Sequence, residues 1–126
     1  HHLDLSKALP EILRVMKKGG TAFFAEPLGT NPIINLYRRL TPQFRTEGEK
    51  PLILDEFRNL TESFAEFTHN EFYLTALLPI AFAYLRLPEY IITHFKQACL
   101  SLDKRILERF PFLGKYAWYT IIRLVK

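Results

Sequence analysis

Lys17-Lys18-Gly19-Gly20-Thr21-Ala22-Phe23-Phe24-Ala25-Glu26-Pro27 reads as the end of a helix, a glycine turn, a short strand, and an acidic residue with a proline where the strand stops. Lys17 and Lys18 suit the negative end of a helix dipole, and Gly19 supplies a left-handed residue that stops the helix. Thr21 to Ala25 shows no polar alternation, as expected of a strand covered on both faces in a parallel sheet. Ligands of open α/β sheets bind outside the carboxyl ends of the strands, which puts Glu26 and Pro27 at the edge of a site.

Upstream, Leu5, Leu9, Ile12, Leu13 and Met16 recur at helical spacing, Asp4 or Ser6 can cap the start, and Pro10 falls near the first turn. Downstream, Asn31-Pro32 is an N-cap followed by proline at the first helical position, opening a short helix through Ile33, Ile34, Leu36, Tyr37 and Leu40. Thr41-Pro42 ends it, and Gln43 to Leu54 has no period. Asp55 is positioned to cap a further helix with Phe57 and Leu60 turned inward.

Phe64 to Tyr73 is rich in Phe, Tyr and Thr and predicts a strand. Leu74 to Leu87 predicts a helix broken or kinked at Pro79. Pro88 opens another whose apolar face is Ile91, Ile92, Phe95, Ala98, Cys99, Leu102, Ile106 and Leu107. Pro111 and Gly114 end it, and Tyr116 to Val125 reads as a strand buried on both faces near the middle of a sheet. The result is an α/β arrangement of about three strands, too few to bury a strand on both faces, so further strands are expected from outside the chain.

At 126 residues the chain is one domain long, and its 48% apolar content argues for a globular core rather than disorder. The net charge of +4 allows a phosphate-bearing or membrane-surface partner, but no basic run or binding motif points to nucleic acid, and none is expected. Cys99 alone forms no internal disulfide and reads as a small buried side chain. The polar start and the charged helix after it give no signal-peptide pattern, and His1-His2 reads equally as a tag remnant or as part of a longer chain. The longest apolar run, Leu74 to Leu85, contains Pro79 and is too short to span a bilayer.

Two groups of residues carry a family resemblance. His1-His2-Leu3 with Asp4, together with Glu11-Ile12-Leu13-Arg14-Val15-Met16-Lys17-Lys18-Gly19-Gly20, resembles class I S-adenosylmethionine-dependent methyltransferases, with Met16 and Lys18 where the commoner members have Leu and Pro. Glu26-Pro27-Leu28-Gly29-Thr30-Asn31-Pro32, then Tyr37-Arg38-Arg39-Leu40-Thr41-Pro42 and Arg45-Thr46-Glu47, is similar to one branch of these enzymes. The resemblance is specific to about Leu52, weaker to Tyr73, and rests on strand position beyond.

The resemblance implies a partial Rossmann-like methyltransferase sheet: the last three of seven strands, the final one antiparallel between its neighbours. A helical insertion at about 74–115 would then cover the substrate side or offer a contact surface. The family's first strand, Gly-rich loop and ribose-binding acid have no counterpart here, since Gly19-Gly20 precedes a strand instead of following one. Residues 1–126 therefore read as the carboxyl-terminal part of one catalytic domain, binding S-adenosylmethionine weakly or not at all alone.

On this reading His1 and His2 lie beside the cofactor, and His2 is also a candidate base. Glu26 is the leading catalytic and acceptor-binding candidate, its alternative being a carboxylate that caps the following loop. Asn31, Arg38 and Arg45 are candidate acceptor ligands; an N-cap for Asn31 and salt bridges for most of Arg38, Arg39 and Arg45 are the plainer roles. His69 and His94 show no metal-ligand spacing and are taken as ordinary. The aromatic set Phe72, Tyr73, Phe82, Tyr84 and Tyr90 is read as core before acceptor pocket. The expected activity is methyl transfer to a small-molecule or glycan-like acceptor in the cytoplasm. The rival is a non-catalytic α/β piece whose Leu74 to Phe110 helices make an interaction or membrane-surface contact.

Overall fold

Asp4 opens the first helix, α1 (Leu5–Val15), by accepting the Ser6 N–H on its carboxylate at 3.2 Å. The computed structural model describes residues 2–44, 46, 49–82 and 87–126. Helix α1 buries Leu9 and ends at Met16, and Gly19 turns the chain at a φ of 74° that side chains resist. The turn is closed by the last residue of the chain. Lys126 accepts the Gly19 N–H at 2.9 Å, returns its own N–H to Gly20, and donates from Nζ to the Leu13 and Met16 carbonyls at 2.6 and 2.8 Å. That ammonium satisfies carbonyls at the negative end of the α1 dipole.

The elements that follow are β1 (Thr21–Pro27), α2 (Pro32–Leu40), a 3-10 turn (Pro42–Phe44), α3 (Leu54–Asn59), β2 (Glu66–Phe72), α4 (Leu77–Phe82), α5 (Glu89–Arg109), a second 3-10 segment (Pro111–Tyr116) and β3 (Tyr119–Val125). The sheet order is β1-β3-β2, and β3 is antiparallel to both neighbours. The final strand is thus central and antiparallel, as expected, and helices fill the span between β2 and β3.

Strand burial departs from expectation. Along β3, Thr120, Ile122 and Leu124 are buried while Ile121 is exposed; along β1, Phe23 is exposed and Phe24 half-buried. Neither strand is covered on both faces, because α1 and α3 pack on one face only. There Leu9, Phe57, Phe64, Leu52, Ile122 and Leu124 form the core, with the Phe24 ring 5.8 Å edge-on from Phe57. An unbroken apolar run in sequence does not report which face is covered. The strands also begin and end differently than expected: β3 starts at Tyr119 because Tyr116 lies in the 3-10 segment, and β2 spans only Glu66–Phe72.

Two helices differ in part from the expectation. Asp55 sits inside the first turn of α3 and Ile53 occupies the cap without a side-chain bond, while Leu60 is exposed. In α5 the expected apolar face is only partly used, since Cys99 is buried but Ile91, Phe95 and Leu102 are exposed. The other buried residue of α5 is Asp103. Its carboxylate accepts the N–H groups of Leu74, Thr75 and Ala76 at 2.9, 2.7 and 3.2 Å and the Thr75 hydroxyl at 2.6 Å. These bonds satisfy donors ahead of α4, whose Pro79 is buried, and fix α5 to the end of β2.

Replacing Asp103 with Ala strands three amide donors, one buried and two part-buried, so Asp103→Ala should lower unfolding free energy by about 2–4 kcal/mol. Urea denaturation measures this, and a change below about 1 kcal/mol would show the bonds to be dispensable.

Candidate functional site

Because β1 and β2 both run antiparallel to β3, their carboxyl ends flank the start of the final strand. The register places Glu26 opposite Thr120, and Thr120 opposite Glu71. These three residues share one sheet face, the one that carries Phe24, Ile122, Phe67 and Leu124 further along. Two carboxylates thus stand on either side of a buried threonine, their backbones roughly 10 Å apart at the usual strand spacing. Glu26 is half-buried, at the end of β1 where the sequence puts it.

Glu71 is held closely. The Thr120 hydroxyl lies 3.4 Å from its Oε1 and 3.3 Å from the Asn70 carbonyl, and a Cβ on Gly114 would come within 2.9 Å of Oε2. That approach is the reason a glycine suits position 114. His69 completes the arrangement, with Nδ1 2.5 Å from Glu71 Oε1. The hydrogen bond to Glu71 raises the His69 pKa above its ordinary 6.5, and partial burial opposes the rise. An Nδ1–H directed at a carboxylate leaves Nε2 as the proton-accepting atom of the neutral ring.

Beyond β2 the chain is strained. Tyr73 has a φ of 64°, in the left-handed region that a non-glycine residue avoids. Contacts on every side hold it there. The Trp118 N–H donates to the Phe72 and Tyr73 carbonyls at 3.2 Å, the Trp118 and Tyr119 rings lie edge-on to Tyr73, and Asp103 grips the next two amides. Lys96 Nζ sits 5.6 Å above the Tyr73 ring. Between α5 and the strands opens a cleft of about 910 Å³, with Tyr73, Phe72, Tyr119, Ile121, Leu100 and Leu107 among its walls and His69 and Glu71 at its polar side. Tyr73 and Phe72 therefore line a cavity rather than the core.

The other candidates have structural partners. Asn31 is buried and caps α2 as expected: Oδ1 accepts the Ile33 and Ile34 N–H groups at 2.9 and 3.0 Å, and Nδ2 donates to the Tyr116 carbonyl. Arg38 forms a largely buried ion pair with Glu49 at 2.8 Å, beside a pocket of about 400 Å³ that Gly29, Asn35 and Arg39 also line. That pair fastens the segment around Pro51 to α2, and a parallel bridge between Leu28 and Leu52 ties the same segment to the loop after β1. His2 places Nδ1 3.2 Å from the Thr46 hydroxyl. His1 and Arg45 lie outside the described residues, as does Tyr84.

Gly29 follows a strand and precedes a helix, yet a Cβ there would meet Pro51 at 3.2 Å, so the turn is filled by protein instead of open to a ribose. Among the described residues no group of three His, Cys, Asp or Glu side chains is arranged to hold a metal ion. Comparison with models of protein families, with curated proteins and with solved structures found no match to this chain.

His69 reads in sequence as an ordinary histidine, and nothing in the sequence singles out Glu71. The usable signal was their separation of two residues in a strand, which puts both on one face. Asp103 gave only one acidic residue inside an apolar helical stripe, and Thr120 gave none.

The folded protein holds the His69 proton more tightly than the unfolded chain does. The stabilisation is therefore fully present below pH 6.5 and disappears as pH rises through the folded-state value. A proton NMR titration should show the raised value, and Glu71→Gln should return it toward 6.5. An unchanged titration in Glu71→Gln would remove the pairing as the cause.

Proposed function

We propose that the chain is the carboxyl-terminal part of a class I S-adenosylmethionine-dependent methyltransferase domain, transferring a methyl group to a small-molecule or glycan-like acceptor. The observation that carries this reading is the sheet order β1-β3-β2, with the last strand antiparallel between two strands that point the same way. The resemblance implies that arrangement for the last three strands of the family. Packing of both α1 and α3 on one face is a second support, because a doubly wound domain covers the other face with separate helices. That other face carries the exposed Phe23 and Ile121.

The residues here supply the acceptor side of such an enzyme. The cleft beside α5 has the size and apolar walls of a small-molecule site. Glu26 is not a wall of that cleft, so its part is to orient or deprotonate an acceptor group that reaches past the carboxyl end of β1. His69, fixed by Glu71, takes up a proton at Nε2 on the polar side of the cleft. The sulfonium donor supplies the methyl group and is held by residues outside this chain.

Two measurements test the reading. In a protein that supplies the donor-binding half, Glu26→Gln should lower methyl transfer about a hundredfold while leaving donor affinity nearly unchanged; undiminished turnover removes Glu26 from the site. Calorimetry on the 126-residue chain should detect no saturable S-adenosylmethionine binding, and tight binding would overturn the division of labour between halves.

A further inference from the structure

Helix α2 is built with its polar side inward and its apolar side outward. Ile34, Asn35 and Arg38 face the body, where Asn35 Nδ2 donates to the Gly29 carbonyl at 2.6 Å and Arg38 pairs with Glu49. Ile33, Leu36, Tyr37 and Leu40 fall at i, i+3, i+4 and i+7 and form one stripe. All four are exposed, Ile33 to 66% and Leu40 to 71%, and Phe44 extends the stripe into the following 3-10 turn at 69%. No residue of α2 is buried.

Arg39 is the exposed cation of α2 beside the stripe, since Arg38 is paired with Glu49. From Pro32 to Thr46 the sequence holds three arginines and no acidic residue. A second surface of the same character adjoins it, because Asn31 at the start of α2 donates to the Tyr116 carbonyl at the end of the 3-10 segment. There Phe110, Phe112 and Tyr116 are exposed, Arg109 lies over the Phe110 ring and Lys115 over Tyr116, and no acidic residue occurs between Arg109 and Tyr119. Aromatic and aliphatic groups ringed by cations match an anionic bilayer surface, where rings sit at the headgroups and basic residues meet lipid charge. Among the described residues no helix is long and apolar enough to cross a membrane, so the contact is a surface one.

We infer that α2 and the Pro111–Tyr116 segment form a docking face for anionic lipid membranes, with the Ile33, Leu36 and Leu40 stripe entering the headgroup boundary. This inference does not depend on methyl transfer. It moves the membrane contact from the α4 and α5 region to the carboxyl end of the sheet, beside Glu26 and the loop that follows it.

Vesicle flotation of the 126-residue chain is the test. Phosphatidylcholine vesicles with about a third phosphatidylserine should carry the protein, and pure phosphatidylcholine vesicles should bind at least about fivefold less. Leu36→Ser combined with Leu40→Ser should weaken partitioning about tenfold or more, and Arg39→Gln about fivefold. Leu102→Ser, an exposed position on α5 outside the face, should bind like the wild type. Circular dichroism should be unchanged throughout, since these are surface positions, and Arg39→Gln alone keeps the test decisive if the double variant unfolds. Absence of wild-type binding, equal binding to both vesicles, full binding by a folded Leu36→Ser/Leu40→Ser variant, unchanged binding by Arg39→Gln, or an equal loss in Leu102→Ser would each overturn the inference. A wild-type dimer that Leu36→Ser/Leu40→Ser turns into monomers would also overturn it, because a second copy would then cover the stripe.

Discussion

Two antiparallel ladders, both made by β3, join the strands of this sheet. Among the described residues β1 and β2 do not pair with each other, and each pairs with β3. The buried row Thr120, Ile122 and Leu124 carries core packing in the same seven residues, and Lys126 finishes the turn after α1. The sheet is therefore assembled around a segment about a hundred residues from its first partner, a closure that adds to the entropic cost of folding and slows it. Local features lower part of that cost. The Gly19 turn and the Asn31 cap each set a chain direction through contacts a few residues apart.

The same topology builds the row of the candidate site. Antiparallel pairing on both sides of β3 brings the carboxyl ends of β1 and β2 level with each other, so Glu26 and Glu71 reach one row without being near in sequence. The Pro111–Tyr116 segment then approaches β2 closely enough that a side chain at position 114 would displace the Glu71 carboxylate. Strain at Tyr73 lies next to this row and is held by Trp118, Tyr119 and Asp103. A backbone conformation that costs about 1–3 kcal/mol survives only where surrounding contacts over-determine it. Here those contacts come from α5, the start of β3 and the residues ahead of α4, the elements around the cleft.

What was legible in the sequence was whatever a residue states through its own backbone chemistry. The Gly19 turn, Asn31, Pro32, the start of α1 and the bounds of α2 follow from capping and φ preference, which need no knowledge of partners, whereas α1 carries Pro10 in its middle and stops at Val15, four residues before Gly19. The carboxyl-end position of Glu26 follows from the strand that delivers it. Illegible was anything fixed by what lies across from a residue. Thr21–Ala25 and the final strand look buried on both faces because an apolar run has the same spelling whether one face or two are covered. His69 acquires its role only from Glu71, and Asp103 only from amides almost thirty residues away.

Helix α2 shows how far that ambiguity extends. Its periodicity is that of a core-facing helix, yet the face that anchors it is polar and the face that reads as core is the exposed one. An amphipathic pattern specifies that two environments exist, not which is the protein interior. The polar anchors here are specific: Asn35 holds the Gly29 carbonyl and Arg38 holds Glu49, so rotating the helix to bury Leu36 and Leu40 would break a largely buried ion pair. Breaking such a pair leaves a charge uncompensated, at a cost of about 3–5 kcal/mol, comparable with burying one or two leucines. The Asn31 bonds at the helix start oppose the same rotation. The outward stripe is thus locked by the inward contacts, and its apolar surface is available to whatever meets the carboxyl end of the sheet.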